Sequence, residues 1–421
     1  MVILHLDLDA FFVSAHRVDD KTLLGIPVVV GGRSDPFIFD KGFNRTRVSC
    51  DNSGAFVPPL FERDKEATFE SFFKEGDRLR GIVITCSYEA RELGIKTGMS
   101  IREALSICPK LKVLPPNHTL YHSYSKALHD WIGLQIPVIE QYSIDEFFAD
   151  VSGWVEEDDI LEFAIRIKED ILKEFGLPIS IGIARSKWIA KFATSYAKPY
   201  GVKMILPDEL EKYLDVPVEV FPGIGRAFTK KLHEYKKFTL LDIKNSKALL
   251  YSFKKNGRDI YDRVCGLERE KVVPRGMRES IGISRTFDAI EDRQELERRA
   301  VILSRHLVFM IAQLDIKPTT LYFGISYEYA SSKKQVTFNR IFNEVFFAGL
   351  CLDMFREVDI YKNSKVIKIS INLRNFVQNQ KSEYSLFEYE KDRKYKKLLD
   401  STTKMREKYG IDILRLAKEI S

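Results

Sequence analysis

The chain has few cysteines, and their arrangement excludes several classes of protein. Its 421 residues include five, Cys50, Cys86, Cys108, Cys265 and Cys351. No two have the spacing of a metal-binding pair, and an odd number does not build a disulfide framework. The thiols therefore predict a reducing compartment, and we expect the protein in the cytoplasm.

Long apolar runs and histidines are also scarce. No apolar run approaches the roughly 18 residues of a membrane span, and the N-terminus lacks the basic and apolar regions of a secretion signal. The seven histidines are scattered, which argues against a zinc site. With 45% hydrophobic and 30% charged residues, the composition is that of a globular protein, and we expect no membrane partner.

Length and charge set the remaining bounds. A chain of 421 residues is too long for one hydrophobic core and predicts several domains. The net charge of +6 suits an anionic partner such as nucleic acid, although many proteins without one have a similar charge.

Two short acidic stretches carry the strongest chemical signal. Asp145 and Glu146 are neighbours inside an otherwise apolar run, and Asp7 lies in a strand-like run near the N-terminus. Neighbouring carboxylates in an apolar setting repel each other, and a divalent cation is the simplest compensation. We therefore favour a metal role for these three, while Asp9 by itself suits a surface or capping carboxylate.

The order of strand and helix patterns predicts an α/β protein of several domains. Strands and helices alternate from residue 1 to about 206. Residues 208–274 predict short helices around a glycine-rich turn, and a later region combines a helix near 294–314 with alternating strands. The segment Arg33–Gly81 holds turn residues but also eight phenylalanines. Because linkers are poor in aromatics, we predict that this segment packs against another part of the protein.

Several residues outside the acidic stretches suit a triphosphate. A helix starting near residue 10 would present backbone N–H groups to phosphate, and an arginine can bind phosphate with two parallel hydrogen bonds. The candidates are Phe11, Phe12, Thr85, Tyr88, Arg91 and Lys198. For each of them an ordinary core or surface role is the alternative.

A glycine-rich turn at 222–225 precedes a basic helical stretch. Gly223 and Gly225 would let backbone N–H groups approach a DNA phosphate closely, and Lys230 and Lys231 add positive charge. The pattern predicts DNA binding that does not depend on sequence. A plain turn between two helices is the alternative.

Taken in order, these motifs resemble the Y-family translesion DNA polymerases, in particular the polymerase IV and mutagenic-subunit branches. The resemblance covers roughly residues 1–32 and 82–376. The motifs that carry it are Asp7–Phe12, Cys86–Arg91, Tyr142–Glu146, Ile181–Ala184, Ala197–Gly201, Pro222–Gly225 and Glu279–Thr286.

The resemblance implies a right-hand polymerase. Its parts would be an α+β palm in residues 1–10 and 117–206, small fingers in 11–116 with an extended insert at 33–81, a helical thumb with a helix-hairpin-helix in 207–274, a linker in 275–279, a C-terminal α+β little finger in 280–376 and a tail in 377–421. The insert would be a fingers extension near the template.

The resemblance also implies the reaction. The enzyme would add deoxynucleotides to a primer 3′-hydroxyl across damaged template with low fidelity, as part of an SOS-type response to DNA damage. Asp7, Asp145, Glu146 and the Leu8 carbonyl would hold two Mg²⁺ ions, with Mn²⁺ as the substitute. Phe12 would exclude ribonucleotides, and the other triphosphate candidates would hold the incoming nucleotide.

Partners follow in the same way. Primer-template DNA would contact the thumb and little finger, with further candidates chosen by charge alone: Lys254, Lys255, Arg258, Arg275 and Arg285. Leu386 and Phe387 loosely resemble the peptides that dock such polymerases on a sliding clamp, but the charged helix beyond them could equally pack on the little finger. We expect a monomer, with accessory mutagenesis subunits as further partners.

Two other functions stay open. One is a non-catalytic, DNA-bound scaffold of a mutagenic polymerase complex. The other is a different two-metal enzyme on a similar palm, such as a nucleotide cyclase or a nuclease. The glycine-rich hairpin and a separate C-terminal domain favour a long DNA ligand over the latter.

Overall fold

The structure is a computed structural model that describes residues 1–34, 37–40, 46–50, 59–63, 68–274, 276–377 and 387–420. Its strands are β1 (Ile3–Leu8), β2 (Val28–Gly32), β3 (Thr46–Ser49), β4 (Leu60–Arg63), β5 (Lys74–Glu75), β6 (Arg78–Leu79), β7 (Ile82–Cys86), β8 (Lys112–Leu114), β9 (Val138–Gln141), β10 (Glu146–Asp150), β11 (Ile179–Ala184), β12 (Val202–Ile205), β13 (Ser280–Ile290), β14 (Pro318–Tyr327), β15 (Ser331–Thr337) and β16 (Val366–Phe376). Its α-helices are α1 (Phe11–Asp19), α2 (Phe69–Phe73), α3 (Tyr88–Glu92), α4 (Ile101–Ile107), α5 (His118–Gln135), α6 (Ile160–Phe175), α7 (Lys187–Ala197), α8 (Arg226–Glu234), α9 (Leu240–Lys244), α10 (Lys247–Ser252), α11 (Lys254–Val264), α12 (Arg293–Leu314), α13 (Glu344–Val358) and α14 (Tyr389–Tyr409).

A five-stranded sheet lies where the palm is expected, with the strand order β12-β11-β1-β10-β9. Its central strand β1 alternates between two buried faces. Leu4, Leu6 and Leu8 join the core formed with α5 and α6, whereas the His5 side chain contacts Thr194 of α7 on the other face. Because side chains alternate along a strand, Asp7 points to the same face as His5.

A smaller sheet, β7-β2-β8, lies in the expected fingers and carries the short helices α3 and α4. The N-terminus of α4 is capped by Ser100, whose side chain accepts a hydrogen bond from the backbone N–H of Glu103. The expected thumb consists of helices α8 to α11, which share one apolar core with α7 of the palm.

The C-terminal sheet has the order β13-β16-β14-β15, and helices α12 and α13 cover it. The sequence predicted its helix at 294–314 and its strands near 321–329 and 365–373. These elements are found at α12, β14 and β16, with ends shifted by a few residues. The expected α/β class and the separation into several packed units are confirmed.

Two segments pack against the little finger. The insert at 33–81 was expected as an extension of the fingers; its residues Phe72 and Phe73 lie in the fingers core, but Ile38 and Val48 are buried in the core of the C-terminal sheet. For the tail, clamp binding and packing on the little finger were the two alternatives, and its helix α14 packs on α12 and α13, with Leu399 buried in the same core. The middle of the insert and the tail helix therefore belong structurally with the little finger.

Candidate active site

The three acidic residues meet where β1 ends and β10 begins. These strands pair antiparallel with Asp7 opposite Glu146, and the backbone N–H of Leu8 donates to the carbonyl of Asp145 at 3.1 Å. This register brings together two stretches that are far apart in the chain, as the sequence predicted.

Two lysines partly neutralise these carboxylates. Lys198 Nζ donates to Asp7 Oδ1 at 2.6 Å, and Lys191 Nζ donates to both oxygens of Glu146, each at 2.6 Å. Asp145 receives its hydrogen bond from the Ser143 hydroxyl at 2.6 Å. Among the residues that the structure describes, Asp7 and Glu146 thus form ion pairs with one lysine each, and Asp145 has a hydroxyl donor but no ion pair.

Two of these carboxylates have raised pKa values. Burial raises the pKa of Asp7 to about 6, although the nearby Lys198 opposes the shift. Burial also raises the pKa of Asp145 above its ordinary value, against the hydrogen bond from Ser143. Ionised carboxylates at this place gain from additional positive charge.

The donor set fits divalent cations. Three carboxylates and a backbone carbonyl are the hard oxygen ligands that Mg²⁺ and Mn²⁺ accept. Ligand atoms of His5, Asp7 and Glu146 also lie within 4.8 Å of one another. Residues Asp7 and Glu146 are therefore placed to share a metal.

His5 and Lys191 are parts of this site that the sequence analysis missed. The Nδ1 atom of His5 lies 2.8 Å from Thr194 Oγ1, and its buried Nε2 has no hydrogen-bond partner among the described residues. The alternation of strand side chains could have identified His5, two residues before Asp7. No comparable signal marked Lys191, because its place on α7 depends on how that helix crosses the sheet.

Asp9 is a buried structural carboxylate, not the surface or capping group that the sequence suggested. It accepts hydrogen bonds from the Tyr88 hydroxyl at 2.9 Å, the Ser180 hydroxyl at 2.8 Å and the backbone N–H of Tyr200 at 2.7 Å. Through Asp9, helix α3 of the fingers is linked to strand β11, which carries Ser180, and to the loop after α7, which carries Tyr200. The Tyr88 hydroxyl, expected at a triphosphate, is engaged with Asp9.

The two phenylalanines at the start of α1 have different environments. Phe11 is 2% exposed and belongs to the palm core, so only its backbone can reach a ligand. Phe12 is half-buried and stacks on Tyr121, with ring centroids 4.1 Å apart and planes at 14°. The stacking fixes the orientation of the Phe12 ring.

The remaining triphosphate candidates are Arg91 and Thr85 of the expected fingers and Lys198 of the expected palm. The Arg91 guanidinium lies over the Tyr88 ring at 4.7 Å and its Nε donates to the Cys86 carbonyl at 3.2 Å, which fixes its position on α3. Thr85 lies on β7 opposite Val30. Lys198 follows the last residue of α7, as the sequence predicted.

Two family models match the chain. The model of the impB/mucB/samB family matches residues 6–195, and the model of that family's C-terminal domain matches residues 278–386. Together the matched regions cover more than half of the chain. DNA polymerase IV of Pasteurella multocida (strain Pm70) is 29% identical over 349 residues, which are 80% of this chain and 83% of that protein. DNA polymerase IV of Lactococcus lactis subsp. cremoris (strain SK11) is 32% identical over 289 residues, 68% of each.

Solved structures share the fold. A Y-family DNA polymerase chimera of Dbh and Dpo4 superposes with a TM-score of 0.72 at 23% identity, over 90% of this chain and all of that one. DinB from Sulfolobus solfataricus has a TM-score of 0.54 at 22% identity over the same shares. The chain belongs to the Y family of DNA polymerases.

This Y-family polymerase is a low-fidelity, DNA-directed DNA polymerase that acts in translesion synthesis. Primer-template DNA and a deoxynucleotide are its ligands, and the acidic cluster of its palm is of the kind that holds divalent metal ions. The reading as a scaffold without catalysis is not supported. Among the described helices, none is both long and apolar enough to cross a membrane.

The thumb of this polymerase has the expected hairpin. Gly223 adopts a φ of +95°, which favours glycine, and Gly225 is the N-cap of α8. Gly225 and Lys230 line a shallow surface hollow. Lys231 is turned elsewhere, with its Nζ 3.6 Å from the centroid of the Phe253 ring.

The other candidate DNA-binding residues lie in different parts of the molecule. Lys254, Lys255 and Arg258 lie on α11 of the thumb. The Arg285 guanidinium lies over the Phe61 ring of the insert at 5.4 Å. Arg275 lies outside the described residues, as does Leu386 of the clamp motif. Its neighbour Phe387 is fully exposed.

Proposed function

We propose that Asp7, Asp145, Glu146 and the Leu8 carbonyl hold two Mg²⁺ ions for nucleotide addition. The observation that carries this proposal is the register of β1 and β10, which sets Asp7 opposite Glu146 with too few lysines to neutralise the group. When bound, such ions favour the ionised form of the primer 3′-hydroxyl and offset charge on the departing pyrophosphate. Mn²⁺ would substitute, since its ligand preferences are similar.

The protein's own groups then position the nucleotide. Arg91, Thr85 and Lys198 would bind the triphosphate, because Arg91 and Lys198 are cationic, Thr85 offers a hydroxyl, and Lys198 contacts Asp7. The backbone N–H groups at the start of α1, near Phe11 and Phe12, would add donors. Tyr88 supports this arrangement in two ways: its ring carries Arg91, and its hydroxyl ties α3 to Asp9.

Phe12 would select the sugar. Its ring is immobilised against Tyr121, so it cannot easily turn away from a bulky substituent. A ribose 2′-hydroxyl would therefore meet a fixed aromatic edge, while a deoxyribose would fit.

The test is extension of a primed template by the purified protein with Mg²⁺. We expect addition of deoxynucleotides directed by the template, abolished by Asp145→Ala and retained by Asp150→Ala. Asp150 is a matched control because it lies at the far end of the same strand and receives hydrogen bonds only from Ser152 among the described contacts. Phe12→Val should increase ribonucleotide addition while leaving deoxynucleotide addition intact. A folded, DNA-binding wild type that never extends the primer would overturn the proposal.

A sliding clamp is a further proposed partner, through Leu386 and Phe387. The complete exposure of Phe387 supports it, since an apolar side chain in a polar tail suits binding in a groove. Loss of clamp affinity in Phe387→Ala, with unchanged extension in the absence of clamp, would test it. We also propose action as a monomer in the cytoplasm, aided by accessory subunits.

A further inference from the structure

The insert Arg33–Gly81 divides its apolar residues between two domains. At its ends, Phe72 and Phe73 are buried in the core of the fingers, and Phe37 and Phe69 pack against them. In its middle, Ile38 and Val48 are buried in the core of the little finger instead. The chain thus leaves one core for the other between residues 37 and 38.

The middle of the insert is held by backbone hydrogen bonds as well as apolar contacts. Its hairpin β3–β4 lies against α12 and α14. From α12, the Gln313 side chain donates to the Val48 carbonyl at 2.9 Å, and the Arg298 guanidinium donates to the Phe39 carbonyl at 2.9 Å. Buried side chains that satisfy a distant backbone define one docked position.

The insert also covers the outer edge of the little-finger sheet. Among the strands that the structure describes, β13 pairs with β16 alone, and on its other side the backbone N–H of Thr286 donates to the Ser34 hydroxyl at 3.0 Å. Next to it, Arg80 and Asp288 form an ion pair of 2.7 Å. An uncovered edge strand has unpaired backbone groups, and here the insert supplies a partner to one of them.

The tail completes the same assembly. Arg298 also donates to the Glu419 carbonyl at 3.3 Å, and the buried Arg305 binds the Glu419 carboxylate and the Ile411 carbonyl. Hairpin β3–β4 and tail helix α14 are in contact with each other. Residues from three distant parts of the sequence therefore form one core around α12.

We propose that Arg33–Gly81 is a clasp, an intramolecular interaction surface that holds the little finger against the fingers before DNA binds. Both ends of the clasp continue into β2 and β7, the strands that carry the fingers. Its β4 strand also touches the palm, where the Thr119 hydroxyl donates to Glu62 at 3.2 Å. With the clasp docked, the connector between thumb and little finger is no longer the only tether. The surfaces that grip DNA are then preorganised.

Preorganisation predicts an effect on DNA binding and not on chemistry. No residue of the clasp is among the proposed metal or triphosphate ligands. If an undocked little finger spends about one fifth of its time in the binding position, the apparent dissociation constant for DNA rises about fivefold. The rate of nucleotide addition from DNA already bound stays the same, because the palm is untouched.

The experiment measures the position of the little finger without DNA. Spectroscopic labels carried by unnatural amino acids at the exposed Lys110 of the fingers and Lys333 of the little finger report their separation. We expect one narrow distribution for the full-length wild type. Val48→Asp, which places a charge in the shared core, should broaden it and weaken DNA binding about fivefold. Its single-turnover addition rate at saturating DNA should change by less than about twofold.

A second set of variants avoids the core. Arg80→Glu sets two acidic groups against each other at the Asp288 contact and should also broaden the distribution. The double variant Arg80→Glu, Asp288→Arg should narrow it again. Arg78→Glu, the same charge change at an exposed position two residues away, is the matched control and should behave as the wild type. If Val48→Asp does not fold, this set decides the question.

Either of two distance distributions would overturn the clasp. One is a broad distribution in the wild type without DNA. The other is a distribution as narrow as the wild type in folded Val48→Asp or in Arg80→Glu. A drop in the single-turnover rate equal to the loss of DNA affinity would also contradict it, because the insert would then act on the active site.

Discussion

The palm and the little finger both bury carboxylates, but they compensate the charge differently. In the palm, Asp7 and Glu146 each form an ion pair with one lysine, Asp145 accepts a hydrogen bond from Ser143, and burial raises the pKa of Asp7 to about 6. In the little finger, the buried Asp359 accepts hydrogen bonds from Arg293, Tyr327 and Lys362. Burial alone would raise the pKa of Asp359, but these donors outweigh it and lower the pKa.

Arginine dominates the little-finger side of this comparison. Arg305 Nε lies 2.9 Å from both carboxylate oxygens of Glu419, and Arg406 binds both oxygens of Glu344. A guanidinium matches a carboxylate with two parallel bonds and keeps its charge at any accessible pH. A lysine offers a compact charge that can move to another anion.

The difference separates two uses of buried charge. The little finger neutralises its carboxylates within the protein, so they serve only to hold segments together. The palm leaves negative charge over, which costs stability but provides a place for cations. Ionisable groups with perturbed pKa values cluster at functional sites, where a bound ligand can supply the missing charge.

The largest expected effect comes from breaking the buried ion pair between Arg305 and Glu419 in the little finger. Arg305→Met leaves Glu419 buried without its partner and should lower the free energy of unfolding by about 3–5 kcal/mol. Urea unfolding measures it. Adding Glu419→Gln should recover part of the loss, because the second variant removes the stranded charge.

The matched control for Arg305 is Arg356, which forms a more exposed ion pair with Glu297. Arg356→Met should change the free energy of unfolding by less than about 1 kcal/mol. Equal losses in Arg305→Met and Arg356→Met would show that burial does not set the value of these pairs, and the comparison between the two domains would fail.

The second largest expected effect is the stabilisation of the palm by Mg²⁺. Without DNA or nucleotide, Mg²⁺ at about 100 times its dissociation constant should stabilise the fold by roughly 2.7 kcal/mol, measured as a rise in melting temperature. Asp145→Asn should lose most of this rise and Asp150→Asn should keep it. A rise of equal size in all three proteins would mean that Mg²⁺ binds elsewhere.

The same comparison shows what could be predicted from the sequence. Asp7, Asp145 and Glu146 stand out because carboxylates are costly in apolar strands, and β-strand alternation is local. Helix α12 was found close to its predicted place near 294–314, because helical periodicity is also a local pattern. These features depend on neighbours within a few residues.

What the sequence did not reveal depends on long-range packing. The aromatic content of residues 33–81 predicted a packed segment but not its partner, since Phe37 and Phe39 look alike and enter different cores. Arg305 gave no sign of meeting Glu419, because a charged residue in a helix usually faces solvent. The lysines beside the palm acids were equally hidden, apart from Lys198.

The smallest expected effect compares one histidine from each region. His306 of α12 and His5 of β1 are both buried, and burial, with nearby cationic side chains second, lowers the pKa of each well below its usual value. His306 Nδ1 lies 2.9 Å from the Ile302 carbonyl, which is consistent with a neutral ring that donates there. In the unfolded chain both histidines regain an ordinary pKa of about 6.5.

The sign of the pH dependence follows from these shifts. Below about pH 6.5 the unfolded chain binds protons that the folded protein does not, so stability is fully present above that pH and falls as pH decreases, by up to roughly 1.4 kcal/mol per pH unit for each histidine. His306→Gln should remove its share and leave that of His5, so the slope of unfolding free energy between pH 6.5 and 5 becomes shallower but does not vanish. An unchanged slope in His306→Gln would mean that the ring is protonated inside the fold, which its crowded cationic surroundings of Arg305, Arg285 and Arg406 oppose.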